Sequence, residues 1–186
     1  MNRTISHYLG QLIALGASAA LLAACADEAP LEPARYGPTK FQSATVPGTD
    51  TDRAIATLRR VTGRYHNVNI AITDEFVLLH PCENRPDEGP VGTVYVHMGR
   101  LMDGRIDPEL PDALIYEPHR DGLKLVGVEF AIPKALWTEQ TAPQFLGATF
   151  QSEDEFGVYA LHAWVWRDNP EGLFAETNPR VSCGLD

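Results

Sequence analysis

The sequence predicts an α+β domain, a long N-terminal amphipathic helix packed on a curved antiparallel sheet of about five strands. Three observations predict it. Ile55, Leu58, Val61, Tyr65, Val68 and Ile72 recur at three- and four-residue steps, the period of one helix face. Past Cys82 the period falls to two, and each alternating run is bounded by Gly, Pro, Asp or Asn. The runs follow the helix as a group, the order of elements that an α+β fold has.

The first segment is an address. Arg3 precedes an apolar run from Leu12 to Ala24 that closes on Leu22-Ala23-Ala24-Cys25, the pattern of a bacterial lipoprotein signal with Cys25 as the acylated first residue of the mature chain. The competing reading is an ordinary signal peptide with an incidental cysteine. The run falls short of the roughly 20 apolar residues that cross a bilayer, so membrane attachment falls to acyl chains at Cys25. Ala26, not aspartate, follows the cysteine. In a host with two membranes that points to the outer membrane, facing the periplasm; in a host with one, to its outer face. Residues 1–24 are thus the signal, 25–49 a tether and 50–186 a single domain.

The tether carries Pro30, Pro33, Pro38 and Pro47 with little apolar periodicity. If flexible, it reaches roughly 25–30 Å. Asp50 or Thr51 offers an N-cap, and the apolar stripe predicts one helix over residues 51–75, with Gly63 inside it at a cost of about 1 kcal/mol relative to alanine. Glu83 to Pro90 reads as a loop. The predicted strands are Val91 to Met98, Ala113 to Glu117, Leu123 to Ile132, Leu146 to Phe150 and Val158 to Trp166, with Asp121-Gly122 as the hairpin turn between the second and third.

The chain has 15 basic and 25 acidic residues; loss of residues 1–24 removes Arg3 alone, leaving 14 against 25 and a net charge of −11. A surface this acidic repels phosphate backbones, so nucleic acid is excluded as a partner. With Cys25 acylated, Cys82 and Cys183 remain. In an oxidising compartment they pair and close a loop of about 100 residues, for which chain entropy gives about 4.7 kcal/mol. The competing reading, free thiols as metal ligands or nucleophiles, lacks a CxxC spacing.

Alternation along the strands sorts side chains into two faces. Val94, Val96, Val126, Val128, Phe130, Ile132, Leu161, Ala163 and Val165 make the expected core face. Tyr95, His97, Gly127, Glu129, His162, Trp164 and Trp166 make an open one. On that open face His97, Glu129 and His162 come from three strands, and two imidazoles with a carboxylate suit Zn or non-haem Fe, with Glu117 as fourth ligand or general base. The bland alternative leaves each histidine exposed or hydrogen-bonded, with Glu129 paired to a nearby Lys or Arg. A one-residue slip in register would turn any of the three to the core. Tyr95, Trp164, Trp166 and Arg167 could line a small-ligand site, though the tryptophans could equally pack on the loop over residues 171–182.

There is no Gly-x-Ser-x-Gly elbow, P-loop, Gly-x-Gly-x-x-Gly or His-Glu-x-x-His, and the mature serines are Ser43, Ser152 and Ser182. A serine hydrolase is thereby excluded. The phrases Leu114-Ile115-Tyr116-Glu117-Pro118, Leu125-Val126-Gly127-Val128-Glu129-Phe130 and His162 to Pro170 with Gly172-Leu173-Phe174 resemble an uncharacterised family of exported bacterial proteins. The resemblance covers about residues 54–183 and implies no catalytic residue. Two function classes follow: a lipid-anchored binding or structural module of the cell envelope, or a metal-dependent enzyme built on the His/Glu/His set.

Overall fold

A computed structural model describes residues 48–85 and 89–184; the signal, Cys25 and the tether up to residue 47 lie outside the described residues. The described chain runs α1 (Gly48–Thr62), a 3-10 turn (Gly63–His66), α2 (Val68–Thr73), β1 (Val77–Arg85), β2 (Gly89–Val96), α3 (Met98–Leu101), β3 (Ala113–His119) and β4 (Gly122–Pro133). A second 3-10 turn (Lys134–Leu136) leads to β5 (Gln144–Phe145), β6 (Ala148–Thr149), β7 (Gln151–Glu153) and β8 (Val158–Ala163). Six strands form one antiparallel sheet in the order β1-β2-β3-β4-β8-β7, while β5 and β6 form a separate hairpin. The sheet curls far enough for His80 of β1 to stack on Phe156 of the β7–β8 turn, ring centroids 6.3 Å apart. The α+β class is therefore present. Among the described residues no helix is long and apolar enough to cross a membrane.

In place of one helix over 51–75 there are two, broken where the sequence weakens the helix. The Thr62 hydroxyl donates back to the Leu58 carbonyl at 2.6 Å, Gly63 opens the 3-10 turn, and Asn67 takes an extended conformation. The Asn67 side chain then accepts from the Asn69 amide and caps α2. The break turns Tyr65 into the core, where its carbonyl accepts the Tyr116 hydroxyl at 2.8 Å. Leu58 and Ala71 are buried on either side of it, whereas Ile72, expected on the same stripe, is 51% exposed.

The Asp121-Gly122 hairpin is present, and the strands over 113–117 and 123–132 become β3 and β4 with small extensions. Of the strand expected over 146–150 only the two residues of β6 form. Leu146 and Gly147 both take positive φ and make the tight turn between β5 and β6. Strand β1 was not expected, because Pro81 breaks its pattern. At the edge of a sheet a proline costs no ladder bond on the free side, and β1 is an edge strand.

The division into faces differs from the expected one for a single reason. Ile115 lies opposite Gly127 but Tyr116 lies opposite Leu125, so Val126 is an extra residue in a β-bulge. Val126 and Val128 consequently point to opposite sides. Tyr95, Leu114, Val128 and Ala163 are successive cross-strand partners on the face that α1 covers, together with Phe130, Leu161 and Leu58. Val94, Val96, Ala113, Ile115, Val126 and Trp164 form a second core on the other face. That face is covered too. Residues 164–184 fold across it as a strap, with Val181 in the core, and the Cys82–Cys183 disulfide, Cα atoms 5.4 Å apart, ties the strap to β1. The sheet has no open face of the kind expected.

Two glycines test this account with opposite signs. Gly92 has φ +97°, and a Cβ there would lie 2.8 Å from Ile115 Cγ2 and 2.9 Å from the Tyr116 carbonyl oxygen. Gly92→Ala is expected to destabilise by about 2 kcal/mol or more. At Gly63 a Cβ would meet only the Trp166 ring, at 3.8 Å, so Gly63→Ala is expected to stabilise by about 0.5–1 kcal/mol. Urea unfolding midpoints of the two variants check both signs.

Candidate functional site

The register across four strands sets the site. Val96 lies opposite Ala113, Ala113 opposite Glu129 and Glu129 opposite His162, one row on the strap face. His162 is 7% exposed and Glu129 14%, and His162 Nε2 lies 3.5 Å from Glu129 Oε2. On its other side His162 Nδ1 donates to the Glu176 carbonyl of the strap at 2.5 Å. Asp112, just before β3, completes the group. Its amide donates to the Glu129 carbonyl and its carboxylate accepts the Ala131 amide at 2.8 Å.

Both ring nitrogens of His162 face oxygens that can only accept, so the doubly protonated imidazolium fits the site. Burial pushes the ring toward neutrality. The Glu129 hydrogen bond and charge, the Glu176 carbonyl and the Glu153 charge outweigh it, and His162 is held above its ordinary value. Asp112 moves the same way for a different reason. Burial pushes its carboxyl up to about 7 against the Ala131 hydrogen bond, with the charges of Glu129 and Asp103 adding and Arg100 opposing. The buried acid thus changes charge near neutrality, while the buried imidazole holds its proton beyond its ordinary range.

The residues expected in one site are distributed over both faces. His97 follows Val96 and therefore turns to the opposite face from Glu129 and His162. There its ring meets Phe76 edge-on at 5.3 Å, and Nδ1 accepts the Arg100 amide as the N-cap of α3. The structure brings Glu129 and His162 together and leaves His97 apart. Among the described residues no three His, Cys, Asp or Glu side chains stand in a metal-holding arrangement, so this donor set does not fit Zn or Fe. Glu117, expected as acid or base, is buried near the far end of β3, about 13 Å along the strand from Ala113 at roughly 3.3 Å per residue. It accepts the Ser182 amide at 3.0 Å and lies 3.6 Å from Arg167, which makes it an anchor for the strap.

The aromatic set also divides. Tyr95 packs edge-on against Tyr116 on the helix face. Trp164 and Trp166 do not share a face, because β8 ends at Ala163 and alternation ends with it. Trp164 is buried under the strap with Nε1 donating to the Ala175 carbonyl at 2.7 Å, while Trp166 turns to α1 and donates to the Thr62 hydroxyl. Arg167 grips the Arg180 carbonyl through Nε and Nη2. Of the two tryptophans, Trp164 follows the alternative of packing on the loop over 171–182, while Trp166 bonds to α1.

Sequence reasoning missed two features. Asp112 follows Pro111 in what reads as a surface turn, and only the apolar run after it hints at burial. The other is a cleft of about 400 Å³ beside the end of α1, lined by Val61, Arg64, Tyr65, Arg100, Asp107, Glu109 and Leu110 among others. No motif marks it, since its walls come from segments about 40 residues apart.

The sequence matches no protein-family model, no curated protein and no solved structure. Among the described residues the site has no metal-holding set.

Asp112 yields a signed prediction. Its folded pKa of about 7 exceeds the ordinary 3.8, so between those values the folded state holds the extra proton and stability falls as pH rises. The slope approaches about 1.4 kcal/mol per pH unit at most, a few kcal/mol in all. Asp112→Asn keeps an acceptor for the Ala131 amide and removes the titration. Urea unfolding at pH 5, 6 and 7 should show the fall in the wild type and a shallower one in the variant; equal slopes would remove Asp112 as its source.

Proposed function

We propose that this chain is a lipid-anchored cell-envelope protein, acylated at Cys25, whose domain acts as a binding or structural module and not as a metal-dependent enzyme. The observation that carries this reading is the Cys82–Cys183 bridge, because such a bond persists in an oxidising compartment beyond the inner membrane. The signal pattern supplies the route there and Cys25 the attachment. In a two-membrane host the destination is the outer membrane, facing the periplasm.

Several features support a module over an enzyme. The Glu129–His162 pair lies under the strap with both ring nitrogens engaged, and His97, the ligand a metal site needs, caps α3 on the far side of the sheet. A small-molecule ligand has the cleft beside α1, whose size of about 400 Å³ falls in the range of ligand pockets and whose walls mix apolar and charged groups. The net charge of −11 after signal removal, 14 bases against 25 acids, disfavours nucleic acid.

Metabolic labelling with a fatty acid tests the reading. The wild type should incorporate label and fractionate with membranes, and Cys25→Ala should do neither. A wild-type product that is unlabelled and soluble would overturn the anchor.

A further inference from the structure

We propose that Glu129 and His162 form a latch that holds the strap segment Leu173–Glu176 closed while the imidazole is doubly protonated and loosens it when the ring loses a proton. Three hydrogen bonds join this segment to the sheet, and Leu173 and Phe174 pack against the helix-face core. The Trp164 amide donates to the Leu173 carbonyl at 2.9 Å, Trp164 Nε1 to the Ala175 carbonyl at 2.7 Å and His162 Nδ1 to the Glu176 carbonyl at 2.5 Å. Of the three donors only His162 titrates. Its ring is also the cross-piece between Glu129 of β4 and the strap, so a change in its protonation acts directly on one of the segment's attachments.

Loss of one ring proton leaves one His162 nitrogen with a lone pair turned toward the Glu129 or Glu176 oxygen, and a bond across the latch is lost. The surrounding charges enforce this sense. Glu153 of β7 faces His162 and favours its protonated form, while the Glu176 carbonyl does the same from the strap.

Opening is bounded at both ends. Gly172, with φ +118°, is the hinge on one side. On the other, Asn169 Nδ2 holds the Thr177 carbonyl, and Asn178, fully buried, bonds to the Pro90 and Arg167 carbonyls. Beyond them the Cys82–Cys183 bridge and the Glu117–Ser182 bond keep the end of the strap in place. Release of Leu173–Glu176 would uncover Trp164, which is 2% exposed in the closed form.

Exchange of the Trp164 indole N–H, followed by NMR between pH 5.5 and 8.5 and corrected for the chemical pH dependence, tests the latch. The wild type should lose protection by about tenfold per pH unit above the His162 midpoint. In Glu129→Gln that midpoint should move to lower pH by about one unit. Unchanged protection across the range, or the same loss in His162→Gln, would overturn the proposal. The wild-type His162 ring titration needs no variant to fold, and an imidazole already neutral at pH 6 would overturn it as well.

Discussion

One unpaired residue, Val126, organises the sheet. Because Tyr116 pairs with Leu125 and Ile115 with Gly127, β4 changes sides in mid-strand and supplies apolar residues to both faces. The carbonyl that the bulge frees is used. Val126 accepts the Trp166 amide at 3.1 Å, which draws the chain off the β8 line just after Ala163. Gly127 makes room for that approach, since a Cβ there would lie 3.1 Å from the Ala163 carbonyl and 3.3 Å from the Trp164 ring. The two tryptophans part at this point, one toward the strap and one toward α1. A bulge of one residue therefore decides which elements cover which face.

Covering both faces creates a second requirement. A strap with little regular structure brings backbone donors and acceptors into contact with an apolar surface, and each must find a partner. Side chains supply many of them: His162, Trp164, Arg167, Asn169 and Asn178 donate to strap carbonyls, and Glu117 accepts an amide. Among the described residues no buried side-chain nitrogen or oxygen lacks a partner. The polar residues of this face are thus the means by which a loop can serve as a lid on a sheet. The disulfide adds to the same end by closing a loop with a sequence separation of 101, which restricts the unfolded chain and stabilises the fold by about 4–5 kcal/mol.

Features fixed by local chemistry were legible in the sequence, and those fixed by register were not. Asp121-Gly122 specifies its turn through backbone conformations available within two residues, and the cysteine pair follows from composition and the oxidising compartment that the signal pattern predicts. Strands β3 and β4 carry enough β-branched residues to be read directly. Which side each residue faces depends on strand pairing, and one bulge reverses parity for everything beyond it. Glu129 and His162 stayed on one face because both lie past the bulge, on strands paired directly with each other. His97 was lost to the site because β2 presents Tyr95, not Val94, to the helix side. The helix break was half legible: Gly63 and Asn67 are weak helix formers, but the apolar stripe runs through them and masks the change of axis.

The retention of a buried carboxylate–imidazole pair calls for a physical reason other than stability, because desolvation offsets much of the attraction in such pairs. Register supplies one. If β8 slipped by one residue against β4, the parity of its side chains would reverse, so that His162 entered the apolar layer of Phe130 while Leu161 faced the Glu129 carboxylate. Apolar residues on both faces of β8 would tolerate such a slip, since both sides are cores here. The charged pair does not, and the strap selects the same register by bonding to His162 from above. A sheet covered on two faces by apolar layers needs a polar mark to tell them apart, and Glu129 with His162 is that mark.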